Sequence, residues 1–219
     1  MRTVALLGFL LTSNVLFGQG SNYTDIFLLN PFAEELKKPN HFSDFEEEGS
    51  QYFDSTFVKG EIFVKETRYI VPMRYNAYLD ILEAKSSEVI LYINKNIVDS
   101  VSLNNSTYVF KKAGNEMRVF NVLDRSDKGI MLENNSISFD QGRFGVLHKD
   151  DIYPHYKTEK PVYYYYLNPG KMINLTSYND LYNYFPDKKA AIKSFIRKEK
   201  LKKNKKNDLI RLFGFVTEL

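Results

Sequence analysis

The sequence predicts a mainly β protein of the α+β type: an antiparallel meander forming a sandwich, barrel or half-barrel, followed by a C-terminal helical segment. Residues 68–82 alternate apolar and polar side chains. Short apolar runs then recur at roughly ten-residue intervals between turn-forming residues. Beyond Ser177 the apolar spacing changes to that of helices.

In the alternating run the odd positions are Tyr69, Val71, Met73, Tyr75, Ala77, Leu79 and Ile81, while Arg68, Arg74, Asn76 and Asp80 fall on the even ones. Period two means one buried face and one wetter face. The run exceeds an ordinary strand, so a bend or turn is expected near Asn76. Pro72 has no N–H to give to a ladder, which predicts an edge or a bulge there.

Further strands are predicted at 89–93, 98–103, 108–111, 117–123, 130–132 and 137–139. The intervening segments carry Ser86-Ser87, Asn94-Lys95-Asn96, Asn104-Asn105, Gly114-Asn115, Lys128-Gly129 and Asn134-Asn135. Asn and Gly accept the positive φ that tight hairpins need. The predicted β body runs from 56 to 167.

The segment 168–219 is predicted to be a basic helical end packed on that body. Ser177 and Asp180 have capping-box spacing, with Asp in place of the usual Glu or Gln. Pro186-Asp187 divides this helix from a second, whose apolar stripe is Ile192, Phe195, Ile196 and Leu201. A polar break at 202–206 precedes a last apolar segment, which holds Leu209, Ile210, Leu212, Phe213, Phe215 and Val216 and is expected to dock on the body.

Residues 1–20 read as an export signal: Arg2 near the start, an apolar stretch from Val4 to Leu11, then Gly18 and Gly20 as the small residues before a cut at Ser21. The apolar stretch is shorter than the about 20 residues a spanning helix needs. There is no cysteine in the chain, so disulfides and a lipoprotein anchor are ruled out. Small secreted eukaryotic domains commonly use disulfides, so their absence points toward a Gram-negative periplasm or exterior. Residues 21–55 form an acidic segment with Glu34, Glu35, Asp44, Glu46, Glu47 and Glu48, and Asn30-Pro31 opens a short helix within it.

The net charge of +3 conceals two opposite ends. From Asp187 to Arg211 there are eleven Lys or Arg against three acids, a local +8, so the remainder carries −5. The lysines Lys200, Lys202, Lys203, Lys205 and Lys206 are the candidate contact with an anionic envelope surface or another envelope protein. A solvated helix face and loop is the plainer alternative, and a contact with the acidic N-terminal segment is a third. Nucleic acid is not an expected partner of an exported chain.

Two other features are candidates. In the run Tyr163-Tyr164-Tyr165-Tyr166, alternate rings share a strand face, so Tyr163 and Tyr165 could together meet a sugar or a partner. Two rings in the core and two on the surface would explain the run without a ligand. His148, Asp150, Asp151 and His155 are metal-ligating types, but their spacing matches no metal motif, and the polar side chains of an irregular surface loop account for them. No phosphate-cradling Gly-rich loop and no Gly-x-Ser-x-Gly elbow is present, and no cofactor is implied.

The Gly60-Glu61-Ile62-Phe63-Val64 segment followed by Arg74-Tyr75-Asn76-Ala77-Tyr78-Leu79-Asp80, with a Lys-rich tail, resembles uncharacterised exported proteins of Bacteroidota. The resemblance implies bacterial export and a β-then-helix layout, and it brings no active residue. Two functions are therefore expected. One is a non-enzymatic binding or structural module of the envelope. The alternative is a lipid or glycan carrier, or a hydrolase, with a pocket inside the β body.

Overall fold

The computed structural model describes residues 26–29, 48–87, 89–143, 151–168 and 170–219. The export signal, the short helix after Asn30, the acids at 34, 35, 44, 46 and 47, and His41, His148 and Asp150 lie outside the described residues.

The strands are β1 (Phe27–Leu29), β2 (Val58–Val64), β3 (Thr67–Asn76), β4 (Ile81–Ser86), β5 (Val89–Ile93), β6 (Ser100–Leu103), β7 (Ser106–Ala113), β8 (Glu116–Ser126), β9 (Gly129–Asn134), β10 (Ile137–Asp140), β11 (His155–Thr158), β12 (Val162–Leu167) and β13 (Lys171–Asn174). Eleven of them form one sheet in the order β1-β5-β4-β3-β2-β6-β7-β8-β9-β12-β13, and β10 and β11 form a separate ribbon. Every pairing of named strands is antiparallel. The helices are α1 (Tyr178–Tyr184), α2 (Lys189–Lys198) and α3 (Lys206–Glu218), with a short 3-10 turn at Pro186–Lys188. No helix among the described residues is long and apolar enough to cross a membrane.

The expected break at Asn76 is real. β3 stops there, residues 77–80 turn, and Asp80 takes φ 54° before β4 begins. Asn104 and Asn105 adopt φ 49° and 59°, the positive pair that a two-residue hairpin with right-handed twist requires. Pro72 does not lie on an edge strand of the whole sheet. β3 pairs with β2 along Thr67–Met73 and with β4 only from Met73 to Asn76. The second ladder stops beside Pro72, so the missing N–H faces a stretch that is an edge only locally.

The sheet is curled and not closed. The β3–β4 turn reaches β8, which lies beyond β2, β6 and β7 in strand order. There the Asp80 carboxylate accepts the Val119 N–H at 3.2 Å and the Lys95 ammonium at 3.2 Å. The Tyr75 hydroxyl lies 3.0 Å from both Asp80 Oδ1 and Asn135 O. The result is a half-barrel whose inner face carries Ile62, Met73, Leu82, Val101 and Phe110 in one buried cluster. β2 can approach β3 and β6 closely because residue 60 is glycine: a Cβ there would stand 2.7 Å from Met73 Sδ and 3.2 Å from Ser102 O.

A second core lies where the helices cover the far end of the sheet. Met131, Tyr165, Leu167 and Ile173 meet Leu181 of α1, Ile192 of α2, and Leu209, Leu212, Phe213 and Val216 of α3. Ser177 caps α1, its hydroxyl accepting the N–H of Asn179, the second helical residue, so the cap is a simple one and not the reciprocal box with Asp180 that the spacing suggests. α3 begins at Lys206, and its apolar stripe docks as expected.

The even-numbered positions of the alternating run are less wet than their polarity suggests. Asn76 is fully buried and Arg74 is largely covered, because residues 51–57 lie over them.

Candidate functional site

The tyrosine run divides by strand face. Tyr163 and Tyr165 face the helices; Tyr164 and Tyr166 face the opposite side, where a small cluster with Phe120 and Leu132 covers them in part. The Tyr164 ring packs edge-on against Phe120 at 5.3 Å, and Lys111 Nζ lies 4.8 Å from the Tyr166 ring centre. Tyr165 is fully buried and its hydroxyl donates to the Leu209 carbonyl at 2.8 Å. It is a core residue that ties β12 to α3, so the expectation that it shares a ligand-facing surface with Tyr163 is corrected. The sheet is covered on both sides here, which the sequence pattern of one strand does not reveal.

Tyr163 is half-buried at the margin of that core and lines an open cleft of about 350 Å³. The cleft lies between the start of β12, the residues after β13 and the loop joining α2 to α3. Lys160, Val162, Leu175, Thr176, Lys203 and Asn204 complete most of its wall. Among the described residues, none that lines it is an acid or a histidine.

The five candidate lysines have three distinct situations. Lys200, Lys202 and Lys205 are exposed, and their ammonium groups form no ion pair among the described residues. Their backbone is nevertheless fixed. Lys200 takes φ 54° after α2, Asp208 Oδ2 accepts the Lys202 N–H at 2.9 Å, and the Lys205 N–H donates to Lys202 O at 3.1 Å. Lys203 is also exposed, but its Nζ donates to Thr176 O at 3.1 Å, which holds it at the cleft. Lys206 lies 2.9 Å from Glu133 Oε2 and is committed to that pair.

Glu133 was not singled out by sequence reasoning. Its side chain is 5% exposed. It occupies a cross-strand row in which Tyr108 opposes Asn121, Asn121 opposes Glu133, and Glu133 opposes Tyr163. Asn121 Nδ2 donates to Glu133 Oε2 at 3.2 Å. Burial, and after it the charge of and hydrogen bond to Glu133, push the Tyr163 hydroxyl above the ordinary phenol range. The site therefore has an acid paired with Lys206 beneath it and Lys160 and Lys203 on its wall, neither of them in an ion pair among the described residues. Such an arrangement can attract and orient an anion.

The residues of the Arg-Tyr-Asn-x-Tyr-x-Asp stretch serve the fold. Arg74 Nε is 2.7 Å from Oε2 of the fully buried Glu83, and its guanidinium lies between the rings of Tyr52 and Phe57 at 4.0 and 4.2 Å. Asn76 Nδ2 donates to Glu83 Oε1 and to Gln51 Oε1. Tyr78 packs edge-on against Tyr156 and Phe139. A larger open cleft of about 540 Å³ adjoins Asp80, Lys95 and Asn134, whose polar groups are engaged with one another or with β8.

The histidine–aspartate group is only partly described. Asp151 is half-buried, and His155 lies in β11 with Nδ1 2.8 Å from Tyr153 O. Among the described residues no group of three or more His, Asp or Glu is placed to hold a metal ion. No protein-family model, curated protein or solved structure matches this chain.

Proposed function

We propose that the protein is an exported, non-enzymatic binding module of a Gram-negative envelope that docks on an anionic surface through the loop between α2 and α3. The observation that carries this reading is the loop itself. Lys200, Lys202 and Lys205 stand exposed and without ion pairs among the described residues, on a backbone pinned by Asp208 and beside a cleft that holds Lys203 and Lys160. Association between a cluster of this kind and a polyanion is long-ranged and salt-sensitive. Export rests on the charged start, apolar middle and small residues of 1–20. Packed side chains such as Ile62, Met73 and Leu82 on the inner face of the half-barrel favour a binding module over a carrier or hydrolase with its pocket in the β body.

Flotation with vesicles tests the reading. The protein is expected to float with vesicles rich in phosphatidylglycerol or lipopolysaccharide at low salt and to remain behind with zwitterionic ones. Replacing Lys200, Lys202, Lys203 and Lys205 by Gln should remove that preference. Equal flotation of the substituted and the native protein would reject the loop as the contact.

A further inference from the structure

We infer that the Tyr163 cleft takes one acidic sugar residue of a polysaccharide, with the Tyr163 ring against the sugar face and the ammonium groups of Lys160 and Lys203 on its carboxylate. This rests on the reading that the lysine-bearing side meets an anionic partner, and it specifies the chemistry of that partner.

Shape is the first argument. The cleft is concave and about 350 Å³, at the small end of sites that enclose a ligand. A flat array of lipid headgroups needs no such recess. The wall is the second. Val162, Leu175 and the Tyr163 ring supply apolar surface, which suits the C–H face of a pyranose and not a free inorganic anion. The polar groups are the third. Thr176 and Asn204 stand among the cations and carry the donors and acceptors that sugar hydroxyls pair with. The cations come from two separate segments: Lys160 precedes β12 and Lys203 lies in the α2–α3 loop. Lys203 is tethered to the Thr176 carbonyl, so part of the entropy of placing its ammonium group is lost on folding and not on binding. With no acid among the described residues of the lining, a neutral sugar brings no counter-charge to the two cations, whereas a carboxylated one supplies it. Glu133 does not oppose this, because Lys206 neutralises it at 2.9 Å.

The test is calorimetric titration of the purified chain with trigalacturonic acid, with maltotriose as a neutral oligosaccharide of equal length and phosphatidylglycerol vesicles as a lipid arm. Trigalacturonic acid should bind saturably and maltotriose should not. Tyr163→Ala and Lys203→Gln should each weaken binding about tenfold, the effect of losing one aromatic or one charged contact. Tyr163→Phe should bind like the native protein, which separates loss of the ring from misfolding, and Lys200→Gln should change affinity by less than about threefold. Equal binding of maltotriose, or of Tyr163→Ala in a folded state, would overturn the inference. Binding to vesicles but not to trigalacturonic acid would overturn it while leaving the anionic-surface reading intact. Binding to neither acid nor vesicle would overturn both.

Discussion

Lys206 Nζ stands 2.9 Å from Glu133 Oε2, and that contact joins the first turn of α3 to β9, the third strand from the β13 edge of the sheet. Glu133 is almost wholly buried, whereas Lys206 keeps 41% of its side-chain exposure. Removing one partner of a fully buried pair costs about 3–5 kcal/mol. Solvent around Lys206 screens part of this, so Lys206→Met should destabilise the protein by about 1–2 kcal/mol. Glu133→Gln, which leaves no buried charge, should cost less. Urea denaturation of both variants checks the order.

The Arg74–Glu83 pair is the more demanding case. Glu83 is fully buried and Arg74 is nearly so. Arg74→Ala leaves the carboxylate, among the described residues, with Asn76 and Tyr52, and a loss of about 3–5 kcal/mol is expected. Arg74→Lys should recover little, since an ammonium cannot both bond Glu83 and stack between Tyr52 and Phe57. Thermal denaturation followed by circular dichroism measures both variants.

Tyr165 and Tyr178 are tyrosines of opposite kinds. Tyr165→Phe loses the bond to Leu209 O and leaves that carbonyl buried, so it should cost about 1–2 kcal/mol. The Tyr178 hydroxyl is buried and finds no hydrogen-bond partner among the described residues. Tyr178→Phe should therefore be neutral or slightly stabilising. Chemical denaturation of the two variants in one buffer gives the comparison directly.

Alkaline pH should weaken the fold. Burial, followed by the neighbouring Tyr182 and Asp208, pushes Tyr178 up from 10.0 to about 12. A group whose folded pKa is raised holds its proton more tightly in the folded state. Its contribution to stability is complete below pH 10.0 and is lost as pH climbs toward about 12. Stability measured by urea titration should fall across that window, and Tyr178→Phe should make the fall shallower.

The β body was legible because its signals are local. Alternation through 68–82, the break at Asn76 and the positive-φ asparagines at 104 and 105 each act within a few residues. Strand order was not legible: β2 pairs with β6 after β3, β4 and β5 have intervened, and no single segment carries that information. β13 was missed because only Ile173 of its four residues is buried, which is too little pattern to read. At the site, Tyr163 and Lys203 were recognisable by residue type, but their sharing one cleft is a tertiary fact. Glu133 left one faint signal, an acid in register with the buried Met131 two residues earlier. Its meaning depended on Lys206 arriving from the last helix.

The proposed contact of the α2–α3 loop with a polyanion is electrostatic, so salt should screen it. Affinity for a lipopolysaccharide-coated sensor surface as a function of sodium chloride concentration reads this screening out. The native protein should lose affinity steeply with salt, and the protein with Gln at 200, 202, 203 and 205 should bind weakly with a nearly flat dependence. Superimposable salt curves for the two proteins would show that the loop is not the contact.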